Sequence, residues 1–309
     1  MVIESNQKQN WKSWRGVYLF LGIYFGSLLF AAIVAPVVFK GVLWRHAVAP
    51  SELTAYLVDK GLDSFFDRIR WIPVLVGLPW ALKVCQLFSL KRLGLRFDKA
   101  SLRQGLRGLI LGICVTVAML VAVHNVYGLR VDSWPRVWTS VGIALLSGLI
   151  LGFLEEIVFR GLLLKVFRDA VQPLFAITLT SLFFAYVHFK IPGYVAAEVT
   201  WTSGLEIAWG VIIGIFKTFQ ENWARESIHF LNLFLLSTLL CLSVIKWRTL
   251  LFAIGFHAGI VWILLIYKRS IDFVQQPNDF WLGSGGIHDG FFATMLFIAL
   301  IVWLLKKAK

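Results

Sequence analysis

The chain has 309 residues, of which 59% are hydrophobic and only 15% charged, with a positive mean hydropathy of +0.77. A soluble domain carries roughly 25% charged residues, so this composition excludes a water-soluble enzyme and leaves a polytopic membrane protein. The net charge of +13 is compatible with nucleic acid, with anionic lipid or with membrane topology, and the location of the cations decides between them.

Apolar runs of about 20 residues, the length that crosses a bilayer core, recur along the whole chain. After a polar, mildly basic lead (Lys8, Lys12, Arg15), the first run covers about 16–39. It exceeds the 7 to 15 apolar residues of a signal-peptide core and reads as a transmembrane helix. Ser51 to Arg70 opens on an N-cap type residue and mixes charge with Leu, Tyr and Phe, which predicts an amphipathic helix outside the core. A second run spans 71–90. It is followed by the densest basic stretch, "KRLGLRFDKASLRQGLR" from Lys91 to Arg107, with leucines at near-helical spacing. Lying between apolar runs, it predicts an interfacial helix whose cations face anionic lipid headgroups or fix topology; no nucleic-acid partner is expected.

Further runs follow at 107–127, 137–157, 171–189, 203–219, 228–245, 249–267 and 289–305. The predicted fold class is therefore all-α, a polytopic transmembrane helical bundle of about eight spans with nine candidates. With the N-terminus inside, Lys91 to Arg107, Lys165 with Arg168, and Lys268 with Arg269 all fall on the inner side, whereas nine full crossings put the terminal "KKAK" outside, against the positive-inside rule. Gln275 to Gly290 reads as an extended loop. Cys85, Cys114 and Cys241 stand singly without metal-site or disulfide spacing. One integral membrane domain is expected, with N-terminal helices and interfacial segments over 1–136, a core over 137–270, and a loop and hydrophobic helix over 271–309.

The stretch "GFLEEIVFRGLLL", Gly152 to Leu164, sets three charges into apolar sequence. Charges at a helix centre cost roughly 2.5–3.5 kcal/mol each on insertion scales, so they are expected to face a protein interior or a wet cavity. In a helix Glu156 and Arg160 are i,i+4 neighbours and pair, while Glu155 points about 100° away, outside that pair. A carboxylate so placed suits a general base; the bland reading is a salt bridge at a helix end. Two histidines sit in later runs, His188 in "FFAYVHF" and His257 in "FAIGFHAGIVW". A lone histidine in an apolar helix is more often a core hydrogen-bonding residue. Two of them with a glutamate make a minimal set for activating water, with or without a metal.

In this order, "EEIVFR" (Glu155 to Arg160), "FAYVH" (Phe184 to His188) and "FHAG" (Phe256 to Gly259) resemble the three motifs of the CAAX protease and bacteriocin-processing family, also called the Abi family, which includes the type II CAAX prenyl endopeptidases. The resemblance covers about Val137 to Lys268. It implies a helical intramembrane peptidase acting on a membrane protein or lipidated peptide, with a cavity open to the cytoplasm in a multi-pass protein of a prokaryotic cytoplasmic membrane. It also implies roles: Glu155 as general base, Glu156 with Arg160 as the structural pair, His188 holding or polarising the water, and His257 stabilising the oxyanion. No HExxH zinc signature is present, and the sequence leaves open whether Glu155, His188 and His257 ligate a divalent metal such as zinc. One position departs. The family commonly has Asn four residues after the third-motif histidine, and here that place is Val261, which cannot donate a hydrogen bond; the neighbouring Trp262 indole N–H is a candidate substitute. Two other readings stay open, a catalytically silent membrane scaffold or immunity protein and a proton-coupled transporter, the latter without the expected inverted repeats.

Overall fold

A computed structural model of the chain describes residues 2–188, 199–275, 279–283 and 289–306. In chain order the elements are α1 (Val2–Val48), α2 (Glu52–Asp59), α3 (Gly61–Ile69), α4 (Trp71–Val84), α5 (Leu90–Leu93), α6 (Lys99–Tyr127), β1 (Leu129–Val131) and α7 (Trp134–Glu156), which runs on through a π-helical segment (Ile157–Leu163) into α8 (Leu164–Ala170). Then come α9 (Pro173–His188), α10 (Ser203–Glu221), α11 (Trp223–Trp247), α12 (Leu251–Ser270), β2 (Ile271–Phe273) and α13 (Phe291–Lys306). The chain divides into two compact units, residues 1–86 with 187–221, and residues 87–186 with 222–309.

The first unit is organised by the small residues of α1. Leu28, Ala31, Ala32 and Ala35 form a buried face that packs against Leu62, Phe66 and Ile69 of α3 and Ile207 and Ala208 of α10. Gly204 lies so close to the Ala32 carbonyl that a Cβ there would overlap it. The expected amphipathic stretch Ser51 to Arg70 is helical, but as two pieces. Ser51 caps α2 through a reciprocal bond with Thr54, and the left-handed Gly61 (φ 71°) opens a new helix with a separate direction.

In the second unit α12 runs between α6 and α7 at backbone contact. A Cβ on Gly255 would overlap the Gly105 carbonyl of α6, and Gly108 and Gly112 abut the Phe252 and Phe256 carbonyls in the same way. On the other flank, added Cβ atoms at Gly148 and Gly152 of α7 would lie 2.9 Å from the Ala258 carbonyl and 3.1 Å from its nitrogen. Lipid tails are as apolar as leucine, so helices in a bilayer are held by such close packing rather than by expulsion from water, and small residues permit it. The elements of this unit collect at two ends. At one, Leu250 N–H donates to Gly94 O at 2.8 Å, Lys165 to the Arg92 carbonyl and Lys246 to the Leu304 carbonyl. At the other, β1 pairs antiparallel with β2, Tyr127 donates to the Asp279 carboxylate, and Asn232 donates to Gly290 O at 2.9 Å while accepting from Thr294 at 2.6 Å.

The all-α class and the membrane-crossing character hold, with the β1–β2 pair as a minor addition. Among the described residues five helices are long and apolar enough to span, at Trp14–Val48, Lys99–Tyr127, Trp134–Ala170, Trp223–Trp247 and Leu251–Ser270, with Pro173–His188 and Phe291–Lys306 as shorter apolar helices. The candidate 71–90 is a 14-residue helix, about 21 Å long, that stops before Gln86 (φ 57°). The basic stretch is not one helix either. Gly94 adopts φ 89° after α5, and Asp98 then caps α6 by accepting from Ser101 N–H at 3.0 Å, because a left-handed glycine and an N-cap aspartate each end one helix or begin another. The last turn of α13 lies against Lys246, at the same end of its unit as Arg92 and Lys165, whereas Lys268 and Arg269, expected on that side, close α12 beside β2 at the opposite end. Much of the expected loop 275–290 lies outside the described residues.

Replacing Gly255 by Ala forces backbone apart and is expected to destabilise the protein by about 1–3 kcal/mol, read as a lower thermal unfolding midpoint in detergent. Gly142→Ala, where a Cβ meets nothing within 4 Å, is expected to unfold like the wild type.

Candidate active site

Two of the three charges of Gly152 to Leu164, Glu156 and Arg160, are fully buried where α7 passes into the π segment. Arg160 Nη1 donates to Glu156 Oε1 at 2.8 Å, and both side chains are inaccessible. The same carboxylate oxygen takes His257 Nδ1 at 3.0 Å, while Arg160 Nη2 reaches Ser237 Oγ of α11 at 2.9 Å. The guanidinium lies over the Phe184 ring at 4.6 Å from its centroid, and that ring meets His257 edge-on at 6.2 Å. Four helical segments thus converge on one ion pair. A buried pair is tolerated when the remaining donors and acceptors are engaged. Here Ser237, His257 and the Phe184 face supply much of that, while Glu156 Oε2 and Arg160 Nε are buried without a hydrogen-bond partner among the described residues.

The expected i,i+4 pairing of Glu156 and Arg160 is present, but the helix carrying it is not a plain α-helix. From Ile157 to Leu163 it widens to a π-helix, so that Leu164 N–H bonds back five residues to Phe159 O. Such bulges occur frequently at functional sites. This one is confined by its neighbours, since a Cβ on Gly161 would lie 3.2 Å from Leu93 Cδ2 and 3.5 Å from Leu250 Cδ1.

Glu155 stands beside this network, not within it. Its Oε2 is 3.8 Å from His257 Nε2, and its side chain keeps 16% exposure where Glu156 has none. His257 therefore has one ring nitrogen on each glutamate. An ionised carboxylate only accepts, so Nδ1 carries the proton of the Glu156 contact, and Nε2 is the nitrogen that faces Glu155. His257 is six residues into α12, about 9 Å from its start beside Gly94.

Glu155, Glu156, Arg160 and His257 are thus brought together. His188 is the half-buried last residue of α9, four positions beyond Phe184. The division of the chain falls between Tyr186 and Val187, so His188 belongs to the first unit. Among the described residues no group of three His, Cys, Asp or Glu could hold a metal ion. The indole of Trp262 is no substitute for the missing asparagine, because its Nε1–H is already donated to Val141 O of α7 at 3.0 Å. Sequence reasoning missed Ser237 and the contacts of Phe184 with Arg160 and His257. A buried serine in an apolar helix carries no distinguishing signal, whereas Phe184, one turn before His188, lies inside a recognisable motif.

Residues 136–263 match the family model described as type II CAAX prenyl endopeptidase Rce1-like. That stretch of the chain is similar to the Rce1-like family. Comparison with curated proteins and with solved structures gave no match. The match begins at Arg136 in the first turns of α7 and ends one residue after Trp262, so the matched stretch takes in every residue of the network, Ser237 included.

Arg160→Leu is expected to cost about 3–5 kcal/mol of stability, because it leaves the Glu156 charge buried and unpaired. Ser237→Ala removes one acceptor of the guanidinium and is expected to cost about 1–3 kcal/mol. Thermal unfolding of the purified variants in detergent checks both, and equal midpoints for the two would contradict this ranking.

Proposed function

We propose that the protein is an intramembrane endopeptidase that hydrolyses a peptide bond in a membrane-anchored, prenylated CAAX-type protein or peptide, using a water molecule activated between Glu155 and His257. The observation that carries the reading is the 3.8 Å separation of Glu155 Oε2 and His257 Nε2, with His257 held from behind by the Glu156–Arg160 pair. A water oxygen at ordinary hydrogen-bond lengths of roughly 2.8 Å from both atoms completes a triangle on that base. His257 Nε2 accepts one water proton in a hydrogen bond and so directs the oxygen lone pair, and Glu155 takes the other proton as the oxygen attacks the scissile carbonyl carbon. When the tetrahedral intermediate collapses, Glu155 returns its proton to the leaving nitrogen and remains a carboxylate.

Glu156 and Arg160 are positioning residues in this scheme. They fix the tautomer and the ring plane of His257, as a buried carboxylate does for an imidazole base. The end of the second unit that collects Arg92, Lys165 and Lys246 is proposed to face the cytoplasm, as the positive-inside rule asks, which places the site within reach of cytoplasmic substrate.

A second reading rests on the oxyanion. Val261 offers no donor and the Trp262 indole is engaged elsewhere, which favours a catalytically silent membrane scaffold or immunity protein. Cleavage of a farnesylated CAAX reporter peptide by the purified protein in detergent separates the two. Glu155→Gln is expected to lower the rate about 10²–10⁴-fold, and a variant cleaving at the wild-type rate would overturn the reading. Val261→Asn is expected to raise it, by up to about 10²–10³-fold if a full oxyanion donor is restored. A silent wild type that gains cleavage only with Val261→Asn would establish the second reading.

A further inference from the structure

The basic turn between α5 and the start of α6 combines three observations that the peptidase reading does not use. The first is charge. Lys91, Arg92, Arg96, Lys99, Arg103 and Arg107 are all exposed. The one acid among them, Asp98, is occupied by the helix N-terminus and by Arg96 at 3.2 Å; the Ser101 backbone N–H, the largest influence on it, holds its carboxyl below the ordinary value. Among the described residues no ion pair engages Lys91, Lys99, Arg103 or Arg107.

The second is apolar interleaving. Phe88, Leu90, Phe97, Leu102 and Leu106 are exposed between the cations, at the point where α6 enters its membrane-spanning stretch. Rings and leucines at that depth reach the acyl boundary while lysine and arginine reach the phosphates above it. A nucleic-acid surface at the same place would leave those five side chains in water.

The third is the underside of the turn. Leu93 is buried against Gly161 of the π segment, Gly94 O accepts the Leu250 N–H that opens α12, and the Arg92 carbonyl accepts Lys165. The turn is therefore fastened to the segment that carries Arg160 and to the helix that carries His257.

We propose that this turn is a binding surface for the anionic phospholipid headgroups of the surrounding membrane, and that headgroup binding steadies the π segment and the start of α12 beneath it. The phosphodiester anions lie across Lys99, Arg103 and Arg107 on the exposed side of α6, with Lys91 and Arg92 at its edge, and Leu93 transmits the restraint to Gly161. Binding is independent of peptide hydrolysis; an effect of lipid on the rate would rest on the proposed function.

The full-length protein, reconstituted in nanodiscs of phosphatidylcholine with or without phosphatidylglycerol, is released and its retained lipids are counted by native mass spectrometry. Phosphatidylglycerol is expected to be retained in preference to phosphatidylcholine and to raise the thermal unfolding midpoint. The triple variant Lys99→Gln, Arg103→Gln, Arg107→Gln is expected to lose retention by about fivefold for each charge removed, together with the midpoint rise. The charge-preserving triple Lys99→Arg, Arg103→Lys, Arg107→Lys should keep both, which separates charge loss from misfolding. Equal retention of the two lipids, an unaffected glutamine triple, or the same midpoint rise from soluble glycerophosphoglycerol would each overturn the proposal. Because none of these readouts requires cleavage, a protein silent toward the farnesylated peptide would still decide it.

Discussion

The arrangement depends on backbone contact between α12 and its two neighbours. Gly255 and Gly259 on one flank of α12, and Gly148 and Gly152 on the facing flank of α7, remove the side chains that would otherwise set the distance. His257 lies between these flanks. With α12 a further ångström or two away, a histidine could not hydrogen-bond to Glu156 with one ring nitrogen and approach Glu155 with the other. The polar network does not draw the helices together; the glycines do, and the network is built at the distance they allow.

This accounts for two adjacent glutamates with different surroundings. Glu156 faces inward, where Arg160 and His257 converge on one of its oxygens. Glu155, one residue earlier and about 100° around the helix, lies at the edge of the same network with part of its surface accessible. One carboxylate is taken up by the architecture and its neighbour keeps part of its surface accessible, so the two acids sit in unlike environments.

The ion pair is legible in the sequence, because spacing alone brings residues 156 and 160 together and because the membrane penalises any charge without a reason. His257 is legible for the same cause. The π segment is not, since nothing in "IVFRGLL" differs in propensity from an α-helix and its wider turn is a product of the packing around Gly161. Ser237 is hidden among the other small hydroxyls of apolar helices, most of which bond to their own backbone, as Thr116 and Thr180 do. The short pieces of 71–107 are hidden because hydropathy does not register Gln86, Gly94 and Asp98, local breaks that divide an apolar or amphipathic run. The departure at Val261 is visible from the motif, but the engagement of the Trp262 indole by Val141 follows only from how α7 and α12 pack.

The π segment also has a meaning for how this helix could vary. A π-helical turn amounts to one residue added to an α-helix without lengthening its path, so it records a single-residue insertion held in place. Removing one residue between Glu156 and Leu164 would restore α-geometry and leave the residues beyond near their present faces, whereas the same deletion in a plain α-helix rotates everything beyond it by about 100°. Lys165 would still reach the Arg92 carbonyl, and Val166 and Phe167 would stay on the buried face of α8. A related chain lacking the bulge could therefore keep the same pattern in α8.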